Sequence, residues 1–170
     1  MLALSLRFAV AASLTLALGA GQTPLRAETA TANFDPVAFF TGATVGTGSL
    51  KKALTSSQAT HVTGFGALRR DGVLVLDQTV TIEREAVKTR QWQLRQIAPG
   101  RFTGTLSDAE GPVTARASAN QLTIRYKMKD GMKVEQVLTI APDGQSARNA
   151  MKFRKLGFVA ATLNETIRRK

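Results

Sequence analysis

Few residues of this chain have the types and spacing that catalysis requires. The sequence has a single histidine, His61, and no cysteine, which excludes a histidine-rich or thiolate metal site and a cysteine nucleophile. His61 lies in the segment THVTGFG beside bend-forming glycines, and we interpret it as structural. There is also no Gly-x-Ser-x-Gly elbow to supply a serine nucleophile. We therefore predict no catalytic residue, no metal site and no cofactor.

Paired carboxylates are the other common signature of an enzyme. Glu83 and Glu85 share one face, but they flank a predicted hairpin and have basic neighbours such as Lys88. We interpret them as a solvated charge cluster. Asp77 is expected to be exposed or bonded to a neighbouring strand, and Asp108 to bond the backbone of the turn that follows it.

Two glutamines interrupt apolar alternation and are the strongest candidates for a binding role. Gln78 and Gln136 each lie between apolar residues of an alternating segment, so both amides should point inward. A buried amide without a partner costs about 1 to 3 kcal/mol. The partner could be the other glutamine, a carbonyl at the barrel end, a water or a ligand. The candidate ligand site comprises Gln78, Trp92, Phe102, Leu106, Tyr126 and Gln136, with the apolar part of the ligand among the aromatic residues and Leu106.

The segment 89–111 shows which kind of element positions these side chains. Trp92 and Leu94 alternate with polar residues before the Pro99–Gly100 turn, and Phe102 and Leu106 alternate with polar residues after it. Because apolar residues recur at every second position, the segment is predicted to form two facing strands. Turn signals follow at intervals of roughly ten to fifteen residues from position 61 onward, which is typical of an antiparallel meander. Closing such a sheet removes its exposed edges.

The fold predicted is therefore mainly β, a single antiparallel up-and-down barrel of about 8–10 strands with a short N-terminal helix. Asp35 and Pro36 form a helix start, and the apolar turn after them should close one end of the barrel. The glycines at 42, 46 and 48 lack the P-loop lysine, so they predict a bent first strand. Residues 155–170 fit a helix or a strand, and we favour a closing strand.

The N-terminal region predicts export. Residues 1–27 contain Arg7 followed by about thirteen apolar residues, the pattern of a signal peptide. Residues 28–33 form a flexible lead-in and residues 34–170 the barrel domain. The chain lacks a lipobox cysteine, so we predict an unlipidated periplasmic protein; the alternative is an inner-membrane protein anchored by an uncleaved signal.

The chain has a formal net charge of +11, and removal of Arg7 and Arg26 leaves 21 basic and 12 acidic residues, or +9. Such a surface predicts contact with an anionic membrane; the alternative is that the charge serves solubility alone. No basic stretch interleaves with stacking aromatics, so nucleic acid is not predicted as a partner.

Several short motifs, each weak alone, follow one another in order from residue 34 to the C-terminus. They include Phe39-Phe40-x-Gly42, Leu74-x-Leu76-Asp77, Arg90-x-Trp92-x-Leu94 and Gly100-Arg101-Phe102-x-Gly104. In this order and spacing the chain resembles an uncharacterised proteobacterial family, the domain of unknown function 3833, whose members are lipoprotein-like. The resemblance implies a lipocalin-type or calycin-type barrel and no known catalytic residue. Family members commonly carry a lipobox cysteine, so the resemblance does not extend to lipidation here.

These observations predict an exported periplasmic β-barrel protein that binds an apolar or amphipathic, lipid-like ligand without catalysis. The predicted partners are a lipid or other small amphipathic ligand and an anionic membrane surface. One alternative is a lipid-acting enzyme of the isomerase or cyclase type, since the sequence does not decide against an enzyme. The other is a structural envelope protein with a filled core. An interior cavity of several hundred Å³ would favour ligand binding.

Overall fold

The computed structural model describes residues 33–170. The predicted signal peptide, residues 1–27, and all but the last residue of the predicted lead-in, residues 28–33, lie outside the described residues. The boundaries assigned to these segments therefore stay predictions.

Ten antiparallel strands form a closed barrel in which each strand pairs with its sequence neighbours and the first pairs with the last. The strands are β1 (Gly42–Lys52), β2 (Ser57–Leu68), β3 (Val73–Ile82), β4 (Lys88–Ala98), β5 (Arg101–Leu106), β6 (Ala109–Ser118), β7 (Gln121–Met128), β8 (Lys133–Ile140), β9 (Ser146–Lys155) and β10 (Phe158–Arg169). A short helix, α1 (Pro36–Phe40), precedes them. The predicted fold class is confirmed, and residues 158–169 form the closing strand.

Alternation along each strand fills the barrel with apolar side chains. Trp92, Leu94, Phe102 and Leu106 are buried as predicted, and the same phase continues through the later strands. Burial of this surface is the main stabilising contribution, at about 25 cal/mol per Å² of apolar area. The charged residues at the alternate positions face outward. The pairing register of the strands is therefore fixed, because a shift by one residue would place these charges inside the barrel.

The helix α1 closes one end of the barrel. The Asp35 carboxylate accepts hydrogen bonds from the backbone N–H groups of Val37 and Ala38 at 2.9 and 3.2 Å, which caps the helix start as predicted. Phe34, Phe39 and Phe40 pack into the core, with Phe39 and Phe40 in edge-to-face contact at 4.9 Å. The opposite end, where β1 ends and β2 begins, forms a mouth.

Glycines in β1 make room inside the barrel. A Cβ on Gly46 would lie 2.0 Å from Glu165 Oε1, and one on Gly48 would lie 2.3 Å from the Asn164 carbonyl oxygen. The glycine-rich segment therefore serves close approach between β1 and β10. No helix within residues 33–170 combines the length and apolarity needed to cross a membrane.

Candidate ligand-binding site

An apolar-walled cavity of about 270 Å³ opens at the mouth of the barrel. Its walls come from strand ends on both sides of the β1–β10 closure. The apolar lining residues are Leu50, Val62, Val80, Ile82, Met128, Met132, Met151, Phe153, Ala161 and Leu163. Three methionines among them provide a deformable surface that adapts to the shape of an apolar guest.

Charged side chains ring the mouth. Glu85 pairs with Lys52 and lies 3.9 Å from the Lys88 ammonium, and all three line the cavity. The hydrogen bond from Lys52 holds the pKa of the Glu85 carboxyl below its usual value, against the opposing effect of desolvation. Asp108 and Asp130 also line the cavity. The Lys52–Glu85 pair ties the β1 end to the β3–β4 connection and helps to define the mouth.

Arg90 forms part of the floor of the mouth cavity. Its Nε donates to Gln78 Oε1 at 2.8 Å, and the same oxygen accepts from Trp92 Nε1 at 2.8 Å. The guanidinium carbon lies 5.6 Å from the centre of the Trp92 ring, within cation–π range. Among residues 33–170 the Arg90 guanidinium makes no ion pair. Gln78 and Trp92 therefore orient a cation whose terminal nitrogens remain free to bind an anion.

Glu165 lies beside Arg90 in the lining of the same cavity and is 8% exposed. Asn149 Nδ2 donates to its Oε2 at 3.0 Å. Burial raises the pKa of the Glu165 carboxyl, while the Asn149 hydrogen bond and the charge of Arg90 oppose that rise. The carboxyl therefore holds a proton to higher pH than an exposed glutamate would.

A void of about 30 Å³ lies beneath Arg90 and Glu165, which line both this void and the mouth cavity. Its polar lining also includes Gln78, Gln136 and Asn149. Within the described part of the chain, Gln136 Oε1, Asn149 Oδ1 and Glu165 Oε1 are buried without a hydrogen-bond partner. Three unpaired oxygens around a void of this size provide sites for hydrogen-bond donors.

The six residues predicted as a ligand site fall into two groups. Gln78, Trp92 and Gln136 line the void at the floor. No hydrogen bond joins the two glutamines: Gln78 Oε1 accepts from Trp92 and Arg90, and Gln136 Oε1 has no partner among the described residues. Phe102, Leu106 and Tyr126 belong to the packed core and are not among the lining residues of either interior cavity.

Tyr126 is an integral part of that core. Its ring packs edge-to-face on Trp92 with 5.4 Å between centroids. Burial raises the pKa of its hydroxyl to about 12, so Tyr126 stays neutral at physiological pH. The Trp92–Tyr126 pair gives the floor of the site a rigid aromatic support.

The residues considered for catalysis are dispersed. His61 is exposed on β2, and Asp77 accepts a hydrogen bond from Gln91 Nε2 at 2.8 Å on the outer face. Glu83 is exposed and lies 3.6 Å from Arg84. Across residues 33–170 no cluster of three or more His, Cys, Asp or Glu side chains could hold a metal ion.

A wider concavity of about 590 Å³ lies on the outer wall of β2, β3 and β4. It is a shallow groove open to solvent, and the Asp77 carboxylate in it accepts a hydrogen bond from Gln91. The interior combines buried unpaired polar atoms with an apolar wall, so it is the stronger candidate site.

Three polar residues of the site, Arg90, Asn149 and Glu165, were not predicted from sequence. The strand alternation does indicate that they face inward. Arg90 lies two residues from the buried Trp92 on β4, and Asn149 lies between the buried Ala147 and Met151 on β9. Glu165 likewise alternates with buried Ile167.

The closed ten-stranded antiparallel barrel with one plugged end and an interior cavity places this protein in the lipocalin-like class. The chain belongs to the family described as protein of unknown function (DUF3833), whose model matches residues 14–169. No curated protein matches the sequence significantly.

Two solved structures share the fold at low sequence identity. The S-type phycobiliprotein lyase CPES from Guillardia theta superposes with a TM-score of 0.61 and 7% identity, covering 79% of this chain and 90% of that one. A protein of unknown function from the DUF3598 family of Nostoc punctiforme superposes with a TM-score of 0.57 and 11% identity, covering 88% of this chain and 53% of that one. At such identities the likeness concerns the fold alone.

Proposed function

We propose that this protein is a non-catalytic binding protein for a single-chain amphipathic molecule with one anionic head group, such as a fatty acid. The head group binds Arg90 at the floor of the mouth cavity, and the chain extends outward along the apolar wall. The observation that carries the proposal is the Arg90 guanidinium, which lines an apolar-walled cavity without a paired carboxylate in the described chain.

The charge balance at the floor favours an anion. Arg90 has two terminal nitrogens that donate to no described residue, and a guanidinium binds a carboxylate through two parallel hydrogen bonds. Burial raises the pKa of the Glu165 carboxyl and so opposes its ionisation beside Arg90, and the two side chains form no ion pair. A protonated Glu165 can also donate a hydrogen bond to the bound head group.

The size of the cavity favours a single chain over a bulkier ligand. Its volume of about 270 Å³ is below the roughly 300–1,000 Å³ typical of pockets for drug-sized ligands. A linear chain fits this space and can continue through the mouth into solvent or another phase. The aromatic core below the floor supports Arg90, while Gln78, Trp92 and Gln136 complete the head-group end.

Export and membrane contact belong to the same proposal. The signal-like pattern of residues 1–27 and the net charge of +11 support a periplasmic protein that meets an anionic membrane surface, where such ligands reside. Intact-mass measurement of the protein made in a Gram-negative host tests the export step. A mass that retains residues 1–27 would contradict cleavage.

The binding proposal predicts selectivity for the head group. Dodecanoate should bind at least tenfold more tightly than dodecanol in titration calorimetry, because only the acid pairs with Arg90. Arg90→Leu should remove that difference. The matched control is Arg95→Leu, which removes a guanidinium from the outer face of the same strand and should leave the selectivity unchanged. Equal affinity for acid and alcohol in the wild-type protein would contradict the proposal.

A further inference from the structure

Large apolar side chains are exposed on two adjacent hairpin tips beside the mouth. The hairpin-tip patch consists of Leu54 in the β1–β2 turn and Leu156, Phe158 and Val159 at the β9–β10 turn, with exposed fractions of 105%, 92%, 79% and 44%. The two turns are neighbours because β1 pairs with β10, and the Ala53 N–H donates to the Ala160 carbonyl at 2.8 Å. The patch is therefore one continuous feature of the rim.

Both leucines occupy backbone conformations that leucine disfavours. Leu54 has φ 62° and Leu156 has φ 51°, the left-handed region in which glycine or asparagine is usual. Leu156 is followed by Gly157 at φ 87°, a pair of positive φ values for which Asn-Gly is the preferred two-residue turn. Neither leucine gains burial in exchange for this strain. Local strain without a local benefit is typical of a functional surface.

Basic side chains surround the patch without acidic neighbours in sequence. Lys51, Lys152, Arg154 and Lys155 flank the two turns, and the segments 36–70 and 144–164 contain no Asp or Glu. None of these four residues forms an ion pair with another described residue. Exposed apolar tips ringed by unpaired cations match the interface of an anionic bilayer, where apolar groups enter the acyl boundary and lysines reach the head groups.

We infer that the hairpin-tip patch docks the barrel, mouth first, on an anionic phospholipid bilayer. Docking places the opening of the cavity against the membrane. Docking rests on the membrane contact of the proposed function and does not require the proposed ligand. If that ligand binds, this geometry lets it pass between bilayer and cavity without crossing water. The cavity lining does not include the patch residues, so docking and ligand binding can be tested separately.

A position-specific label tests the docking geometry. The chain has no cysteine, so Leu156→Cys and Ile97→Cys each create a unique site for an environment-sensitive fluorophore. Ile97 is also exposed, at 57%, but lies at the closed end of the barrel. With vesicles of equal parts phosphatidylcholine and phosphatidylglycerol, the label at position 156 should shift to the blue and be quenched by lipid-borne quenchers. The label at position 97 should remain in water.

Paired variants test which interaction drives docking. Leu54→Asn with Leu156→Asn suits the positive φ values, so the turns should persist while membrane affinity falls by about tenfold or more with the loss of apolar burial. Each of Lys51→Gln and Lys155→Gln should weaken binding roughly fivefold. The control, Leu68→Asn with Ile97→Asn, removes two exposed apolar residues elsewhere and should leave vesicle binding unchanged.

Three results would overturn the inference: no binding by the wild-type protein, equal binding to pure phosphatidylcholine, or undiminished binding by the Leu54→Asn/Leu156→Asn variant. If the patch binds a protein partner and not a membrane, the wild-type protein should not bind vesicles. The calorimetric titration with dodecanoate contains no vesicles, so it separates failure of the ligand proposal from failure of docking.

Discussion

Glu165 lies in surroundings unlike those of a glutamate in solution. It is held at the floor by Asn149, and Gly46 leaves space for its Oε1. A buried carboxylate is costly unless it is neutral or paired. The direction of its pKa shift therefore follows from burial, and Arg90 moderates the shift without forming an ion pair.

This shift predicts a pH dependence of stability. Because the folded state binds the Glu165 proton more tightly than the unfolded state, whose pKa is near 4.5, the contribution is fully present below that value. It is lost as the pH rises through the elevated folded pKa. The free energy of unfolding of the wild-type protein should therefore fall with rising pH relative to that of Glu165→Gln. Glutamine has the same shape as glutamate but has no carboxyl group that titrates.

Denaturant unfolding of both proteins across the acid-to-neutral range checks this prediction. Other groups that influence the Glu165 charge, Arg90 and His61, are present in both proteins and largely cancel in the difference. Parallel stability curves for the wild-type protein and Glu165→Gln would show that the carboxyl is not desolvated.

The strands could be predicted from the sequence because the residues that face inward, every second one along a strand, are apolar at several successive positions. The helical four-residue step of Val159, Leu163 and Ile167 in β10 is ambiguous, since four residues are also two strand repeats. A register shift between Val159 and Ala161 places Leu163 and Ile167 inside and leaves Val159 exposed. This segment is a strand because it pairs with both β9 and β1. Those pairing partners are distant in sequence, so the local pattern does not reveal them.

The candidate site could be predicted only in part for a related reason. Gln78, Trp92 and Gln136 could be predicted because each alternates with outward-facing residues in a segment whose other inward-facing residues are apolar. Arg90, Asn149 and Glu165 also lie in inward phases, but a charged or amide side chain there interrupts the apolar pattern locally. Their common position becomes evident only when the barrel closes and β10 lies between β1 and β9.

The seating of α1 on β2 gives a prediction at the level of the element. A Cβ at Gly66 would lie 1.9 Å from the Phe40 carbonyl oxygen, which is backbone and cannot rotate away. Gly66→Ala should displace α1 and lower the free energy of unfolding by about 1–3 kcal/mol. Thr63→Ala on the exposed face of β2 should change it by less than about 0.5 kcal/mol. An unchanged melting midpoint for Gly66→Ala would mean that α1 does not press on β2.

The whole molecule is a barrel closed at one end by α1 and open at the other, with a charged mouth beside exposed hairpin tips. This polarity gives the cavity a defined direction, with Arg90 and Trp92 at its inner end and Lys52 and Glu85 at its outer end. The central claim is that an amphipathic ligand enters head first.

Trp92, the single tryptophan, allows that claim to be measured directly. Bromine quenches tryptophan at short range, so a fatty acid brominated next to its carboxylate should strongly quench Trp92 emission. The same acid brominated at its terminal carbon should quench weakly while competing for the same site. Stronger quenching by the terminal bromine would contradict the head-first orientation, and no quenching by either acid would show that the interior holds no such ligand.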